Sequence, residues 1–240
     1  LELLGPSPGD AILELAAGTG VVGFSAARLV GPAGRVIVSD FTVAMVEVAS
    51  RRANELGLEN VECRVLDAEH LDLPDESVDG VVCRWGYMLM ADVSAALRET
   101  RRVLRADGRL ACAVFAGPEQ NPWAALPSRV LQQRGHIPPP EPGAPGILAL
   151  ADPNRLRLLV TKCGFSDPVI ERVAFAFRFA GVEEYWEFLT SAAGAIAMVL
   201  NRLGEEEQQR IRDDITKQLD AFDASGQIEL PAMSLVISAS

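Results

Sequence analysis

Glu14 stands inside an otherwise apolar run, Ile12-Leu13-Glu14-Leu15-Ala16-Ala17, that ends in Gly18-Thr19-Gly20. Apolar residues ahead of a Gly-x-Gly predict a buried strand feeding a tight turn and then a helix. Glycines in such a turn let a ligand approach the backbone, because no Cβ stands in the way. The spacing Gly18-x-Gly20-x-x-Gly23 also fits a dinucleotide fingerprint, and Asp40 lies roughly 20 residues on, where that fingerprint places its ribose acid. Glu14 argues the other way. Pyrophosphate is held by backbone N–H groups and the positive end of a helix, whereas a carboxylate at the end of the strand repels phosphate and suits a cation. The pattern reads as a site for a nucleoside that carries positive charge.

Similar acids close later strand-like runs. Arg35-Val36-Ile37-Val38-Ser39-Asp40 is the second, and Val61-Glu62-Cys63-Arg64-Val65-Leu66 runs into Asp67-Ala68 as the third. Ser77-Val78-Asp79-Gly80-Val81-Val82-Cys83-Arg84 reads as the fourth, and Leu104-Arg105-Ala106-Asp107-Gly108-Arg109-Leu110 as the fifth, after an Arg-rich helix. In this order the segments resemble the class I S-adenosylmethionine (SAM)-dependent methyltransferases, and within them the branch similar to ubiquinone/menaquinone methyltransferases. The resemblance covers about the first half of the chain. It implies an α/β Rossmann-like, doubly wound, mostly parallel seven-stranded sheet, with helical insertions after strands 5 and 6.

The resemblance also implies roles. SAM is the cofactor and S-adenosylhomocysteine (SAH) the product. Gly18 and Gly20 would admit the cofactor's amino-acid portion, and Glu14 would act near its ammonium group through a hydrogen-bond network or water. Ala16 stands where many members have glycine. Asp40 would accept both ribose hydroxyls, as a carboxylate does well. Phe41 could stack on adenine, Asp67 could accept from its amine, and the backbone of Ala68 could read its edge. Met45 either pads the adenosine or joins the core, and Arg84 is tied to the cofactor or to an acid. Methyl transfer from a sulfonium is an in-line displacement, so alignment alone can supply up to about 7–11 kcal/mol. The site therefore needs few chemical groups, and no catalytic residue and no metal are assigned.

The acceptor side has candidates rather than a motif. Tyr87 follows the fourth strand and could orient a substrate, and Asn121 and Trp123 could shape a pocket wall. His70 and His136 titrate in the range of a general base; His70 reads as structural or solvated, and His136 could reach a phenolic acceptor. The fourth strand lacks the Asn/Asp-Pro-Pro-aromatic signature of the amino-methylating branch, which weakens adenine- or glutamine-type N-methylation; an oxygen or carbon centre on a small metabolite is expected, apolar because the covering segments are apolar. Two rival readings stay open: an NAD-dependent oxidoreductase, which explains neither Glu14 nor Asp67, and a SAM-binding module that transfers nothing.

Length and composition set bounds. The 240 residues suit one domain with an elaboration: a cofactor-binding half over 1–116 and a substrate-side half over 117–240. A net charge of −11 repels phosphate backbones, arguing against a nucleic-acid partner. No apolar run approaches a membrane span, and the scattered Cys63, Cys83, Cys112 and Cys163 read as core residues of a reducing, cytoplasmic compartment. The chain opens at Leu1, and relatives of this kind carry helices before the first strand that cover the cofactor, so an open site is expected.

Periodicity places helices near 43–56, with a stripe of Met45, Ala49, Ala53 and Leu56, and near 92–105, whose Arg101, Arg102 and Arg105 read as a solvated face. Eight of the fifteen prolines fall between Gly117 and Gly146, so an insertion over 117–150 reads as a long irregular excursion at the sheet's C-terminal edge. A helix-like Asp152–Cys163 and a strand-like 169–179 follow. A second insertion over 181–223 reads as an apolar helix over 182–203 and an amphipathic one carrying Ile211, Ile215, Leu219 and Phe222. These helices pack as core, cover the pocket, or pair two copies as a homodimer. Residues 227–238 read as an edge strand that tolerates Pro231.

Overall fold

The computed structural model describes every residue except Pro140, Pro142 and Ser225, so two of the clustered prolines lie outside the described residues. Strands β1 (Ala11–Leu15), β2 (Arg35–Asp40), β3 (Val61–Val65), β4 (Val78–Arg84) and β5 (Leu104–Phe115) alternate with helices α1 (Val21–Val30), α2 (Val43–Glu55) and α3 (Val93–Val103). Neighbouring strands among these five pair in parallel. All five residues of β1 are buried, as expected of a central strand covered on both faces. Then come α4 (Pro122–Gln133), α5 (Pro153–Lys162), β6 (Val169–Phe179), α6 (Val182–Ser191), α7 (Ala195–Leu200), α8 (Glu205–Leu219), the two-residue β7 (Asp223–Ala224) and β8 (Gln227–Ala239).

The strand order is β3-β2-β1-β4-β5-β8-β6, with β7 pairing on β8 off this path. The seven-stranded, mostly parallel, doubly wound sheet expected from the sequence is therefore present. The last strand departs from the reading over 227–238: β8 lies between β5 and β6 and is not an edge. Reciprocal hydrogen bonds join Ser166 and Ser240 at 2.6 and 3.3 Å, and Arg178 pairs with Glu229 at 3.0 Å. The start of β6 thus lies beside the end of β8, and the reverse, so the two run antiparallel. Pro231 is exposed in the first half of β8, whereas Leu235–Ala239 alternate buried and half-buried.

The chain packs as two compact units. One comprises Leu1–Phe115, Pro145–Arg172 and Leu235–Ser240; the other comprises Ala116–Ala144 and Val173–Ser234. Residues 145–172 and 235–240 thus pack with the first part of the chain rather than with the second half.

In the first unit, α1 and α2 bury Phe24, Ala27, Val30, Ala49 and Ala53 against Ile12, Val36, Val38 and Val82. Gly57, φ +64°, takes the left-handed turn after α2 that a Cβ would oppose. Residues 66–77 link β3 to β4 without a helix, and α3 holds this link in place. Arg102 donates to the carbonyls of Leu71 and Leu73 at 2.8 Å and pairs with Glu99 and Asp75, while Glu99 accepts from the Leu71 amide. Arg102 is therefore a half-buried clamp and not part of a solvated face.

In the second unit, the proline-rich segment begins with a regular helix. Pro122 occupies the first turn of α4, where a missing N–H costs nothing. Pro127, inside α4, has no N–H for the carbonyl of Trp123, and the Tyr185 hydroxyl donates to that carbonyl at 2.6 Å. The expected helix over 182–203 divides into α6 and α7 before Gly194, φ +54°. Asn121 is fully buried and works as a clamp. Its amide donates to the carbonyls of Ala116 and Met233 at 3.0 Å, and its oxygen accepts from the Met233 amide at 3.1 Å and the Trp123 indole at 3.3 Å. Truncation strands several buried polar groups, so Asn121→Ala is expected to cost about 2–4 kcal/mol of unfolding free energy in urea. A loss below about 0.5 kcal/mol would show that these bonds do not hold the unit together.

Candidate functional site

The C-terminal ends of β1 to β4 and the turns that follow them carry the residues predicted for the cofactor, all in the first unit. β1 delivers Glu14, 2% exposed, into the sheet interior. Its Oε2 accepts from the Gly23 amide at 2.7 Å, in the first turn of α1. That helix starts at Gly20, φ +80°, without a capping side chain of its own, so the strand carboxylate satisfies one of its orphan donors. Gly23 has to be glycine: a Cβ there would lie 2.5 Å from Glu14 Oε2 and 2.6 Å from Val38. Burial pushes the Glu14 carboxyl up to about 7, against the opposing pull of the Gly23 hydrogen bond and of Arg84.

The turn between β1 and α1 is left-handed at Ala16 (φ +49°), Gly18 (+55°) and Gly20 (+80°). The Asp40 carboxylate crosses to it from β2. Its Oδ2 accepts from the Gly18 amide at 2.8 Å and its Oδ1 from the Thr42 amide at 2.9 Å. Each oxygen spends one lone pair on the backbone and keeps another. No atom lies within 4 Å of the position a Cβ would take at Gly18, so the backbone there is open to an incoming group. Beside Asp40, Phe41 is 73% exposed and Met45 41% exposed. Met45 thus stays out of the core, although Ala49 and Ala53 of the same stripe are buried.

Asp67 sits after β3 in a tight turn, accepting from the Glu69 amide at 2.9 Å. His70 pairs in that turn across a single bridge to Asp67, with its ring 3.9 Å from the carboxylate and largely exposed. Ala68 is half-buried beside it. Arg84 is exposed at the end of β4, its guanidinium over the Trp85 ring. Gly86 packs close to the first turn: a Cβ on it would come within 2.5 Å of the Ala16 methyl. Acidic and glycine positions from four strands therefore meet along one edge.

Of the acceptor-side candidates, Tyr87 belongs to the first unit and Asn121, Trp123 and His136 to the second. Tyr87 is 2% exposed and its hydroxyl is 2.6 Å from Thr100 Oγ, so it fills the core instead of orienting a substrate. Asn121 is the clamp described above, and Trp123 is buried against Phe177 and Phe188. His136 is half-buried, its Nε2 2.9 Å from Glu207, a carboxylate also held by Arg134. Sequence reasoning missed Gly23 as the partner of Glu14 and Trp85 as a fixed aromatic. The usable signal for the second was an arginine and a tryptophan side by side at a strand end. Among the described residues no His, Cys, Asp and Glu group is arranged to hold a metal ion.

The geometry agrees with what the chain is similar to. The YcgJ protein of Bacillus subtilis superposes with a TM-score of 0.65 at 22% identity, covering 99% of this chain and 94% of that one. A geranyl diphosphate methyltransferase, solved with SAM, superposes at 0.58 with 18% identity over 100% and 81% of the two chains. At these identities the likeness establishes the fold. In sequence, the ubiquinone/menaquinone biosynthesis C-methyltransferase of Teredinibacter turnerae is 35% identical over 122 residues, 50% of this chain and 49% of that protein. The chain spans about half the length of the curated relatives it matches. Residues 6–133, more than half of the chain, match the family model described as a methyltransferase domain, and with this strand order and these carboxylate-bearing strand ends the chain belongs to that family.

Proposed function

We propose that this chain binds SAM along the ends of β1, β2 and β3 and transfers its methyl group to an oxygen or carbon of a small, apolar metabolite, leaving SAH. One observation carries the reading. The Asp40 carboxylate is fixed on the Gly18 amide with lone pairs to spare, beside a glycine whose Cβ direction is open. Gly18 would take the amino-acid portion, Asp40 the ribose hydroxyls, Phe41 and Met45 the faces of the adenosine, and Asp67 with the Ala68 backbone the adenine edge. The cofactor supplies an activated methyl group, so the residues need only bind, align and exclude water. A carbon centre as acceptor is supported by the C-methyltransferase relative.

Glu14 argues against a dinucleotide. The Gly23 N–H at the start of α1 is already spent on a carboxylate, so negative charge stands where pyrophosphate would need donors. The reading also takes in a cytoplasmic location, consistent with four free cysteines, and a homodimer through α6–α8, where Met198 is 61% exposed. Among the described residues no helix is long and apolar enough to cross a membrane.

Two measurements test the assignment. Asp40→Asn replaces one acceptor oxygen by a donor, so SAH affinity in calorimetry is expected to fall about ten- to a hundred-fold; unchanged affinity removes Asp40 from the site. The second uses the Glu14 proton. The folded carboxyl titrates near 7 and the unfolded one near 4.5, so the folded state holds the extra proton between these values. Stability is then full below about 4.5 and falls as pH rises towards 7. Wild type is expected to lose on the order of 3 kcal/mol relative to Glu14→Gln across that window in urea titrations. A ligand ammonium favours the ionised form, so SAH should bind wild type more tightly at about pH 8 than at about pH 6, with the difference absent in Glu14→Gln. Identical pH profiles for the two proteins would refute the role given to Glu14.

A further inference from the structure

The end of β4 carries a stack that the cofactor reading leaves unused. Trp85 has φ +60°, a region a bulky side chain enters only when its surroundings hold it there. Its amide donates to the Ala113 carbonyl at 2.8 Å. Its indole stacks on Phe115, with centroids 4.8 Å apart and planes 16° from parallel. The guanidinium of Arg84 lies over the same indole, 4.9 Å from its centroid.

Two arginines of this unit are spent on carboxylates, Arg102 on Glu99 and Asp75 and Arg105 on Asp79, and Arg52, which also lies over a ring, donates to the Thr19 carbonyl. Arg84 joins none of the ion pairs among the described residues. An aromatic face orients it, and that contact leaves the N–H fork in the guanidinium plane free to donate. In a chain with 33 acidic residues against 22 basic ones, it is an exposed, oriented cation beside the strand ends that carry Glu14 and the glycine turn.

We propose that Arg84, seated on Trp85, is the anion-binding subsite for the methyl acceptor, which presents a carboxylate, phenolate or enolate oxygen to it. This rests on the reading of the neighbouring strand ends as the SAM site. A guanidinium favours the deprotonated form of an acceptor, so an acidic acceptor is held ionised without a histidine to take its proton. His70 belongs to the Asp67 turn, and His136 is engaged by Glu207 within the other unit. In the transfer, the anion's electron pair forms the new O–CH3 or C–CH3 bond while the S–CH3 bond breaks and its pair stays on sulfur. The acceptor's proton leaves to solvent before that step, and the two opposite charges disappear together. The acceptor is therefore an apolar body with one acidic oxygen.

The test titrates 4-hydroxybenzoate and its neutral counterpart 4-hydroxybenzamide into the full chain, with and without saturating SAH, following tryptophan fluorescence and heat. The acid is expected to bind at least about tenfold more tightly than the amide, and Arg84→Met to lose about ten- to a hundred-fold of acid affinity. Arg84→Lys should retain part of the preference and Trp85→Phe should weaken it. Equal binding of acid and amide, no binding of the acid in either condition, or a preference that survives Arg84→Met overturns the proposal. So does a loss confined to SAH affinity, which would give the guanidinium to the cofactor's carboxylate. Failure of wild type to bind SAH would instead remove the SAM reading, while the acid-against-amide comparison without SAH still decides the subsite.

Discussion

The contact between Glu14 Oε2 and the Gly23 amide, 2.7 Å across the junction of β1 and α1, sets the terms for everything around it. α1 begins at a glycine with no capping side chain, and a carboxylate from the middle of the sheet takes up one of its free donors. The helix can approach this closely because Gly23 has no Cβ to strike Glu14 and Val38. Burying that acid raises its pKa to about 7, so the domain carries a titratable charge at its centre near neutral pH. A structural residue would be cheaper as glutamine, which could accept the same hydrogen bond at no ionisation cost. Keeping an acid there makes sense when a positive ligand group helps to hold its charge.

Asp40 repeats the device one strand away with the opposite balance. It is only half-buried, and it joins the glycine turn to the start of α2 through two backbone amides. Glu14 thereby fixes where α1 starts and Asp40 fixes where the turn before it lies. Asp67, the third acid, depends on a loop without secondary structure, and there Arg102 substitutes for a helix by gathering two carbonyls and two carboxylates. The precision of the site decreases in that order, from the sheet core to a clamped loop.

How far this could be read in advance follows from the range of the interactions. The run into Gly18, the acids at the ends of β1, β2 and β3, and the parallel order were legible because strand period, turn glycines and strand-end acids are local signals. Tyr87 and Asn121 looked like site residues for the same reason, as polar groups beside predicted ends. Their partners, Thr100 and Met233, lie 13 and 112 residues away, and no local pattern announces a buried hydrogen bond of that span. α4 is hidden in a proline-rich stretch because proline content says nothing of position: Pro122 falls in the first turn, where helices accept it. β8 read as an edge because Pro231 fits one, while its place between β5 and β6 is a fact of topology.

The unusual backbone of the site shows why these strand ends act as one piece. Among the described residues four non-glycine positions have positive φ, and two of them, Ala16 and Trp85, follow β1 and β4. Those strands are parallel neighbours with Leu15 in register with Cys83, so their last residues leave the sheet side by side. Gly86 then passes the Ala16 methyl too closely to carry a side chain itself. A left-handed alanine or tryptophan is unfavourable alone, by about 1–3 kcal/mol each, and persists only where the surroundings permit nothing else. Here the surroundings are two central strands whose hydrogen bonds would have to break before either turn could relax. The strain therefore resides in the part of the sheet least able to yield, which holds the glycine turn and the Trp85 ring in fixed places before any ligand arrives.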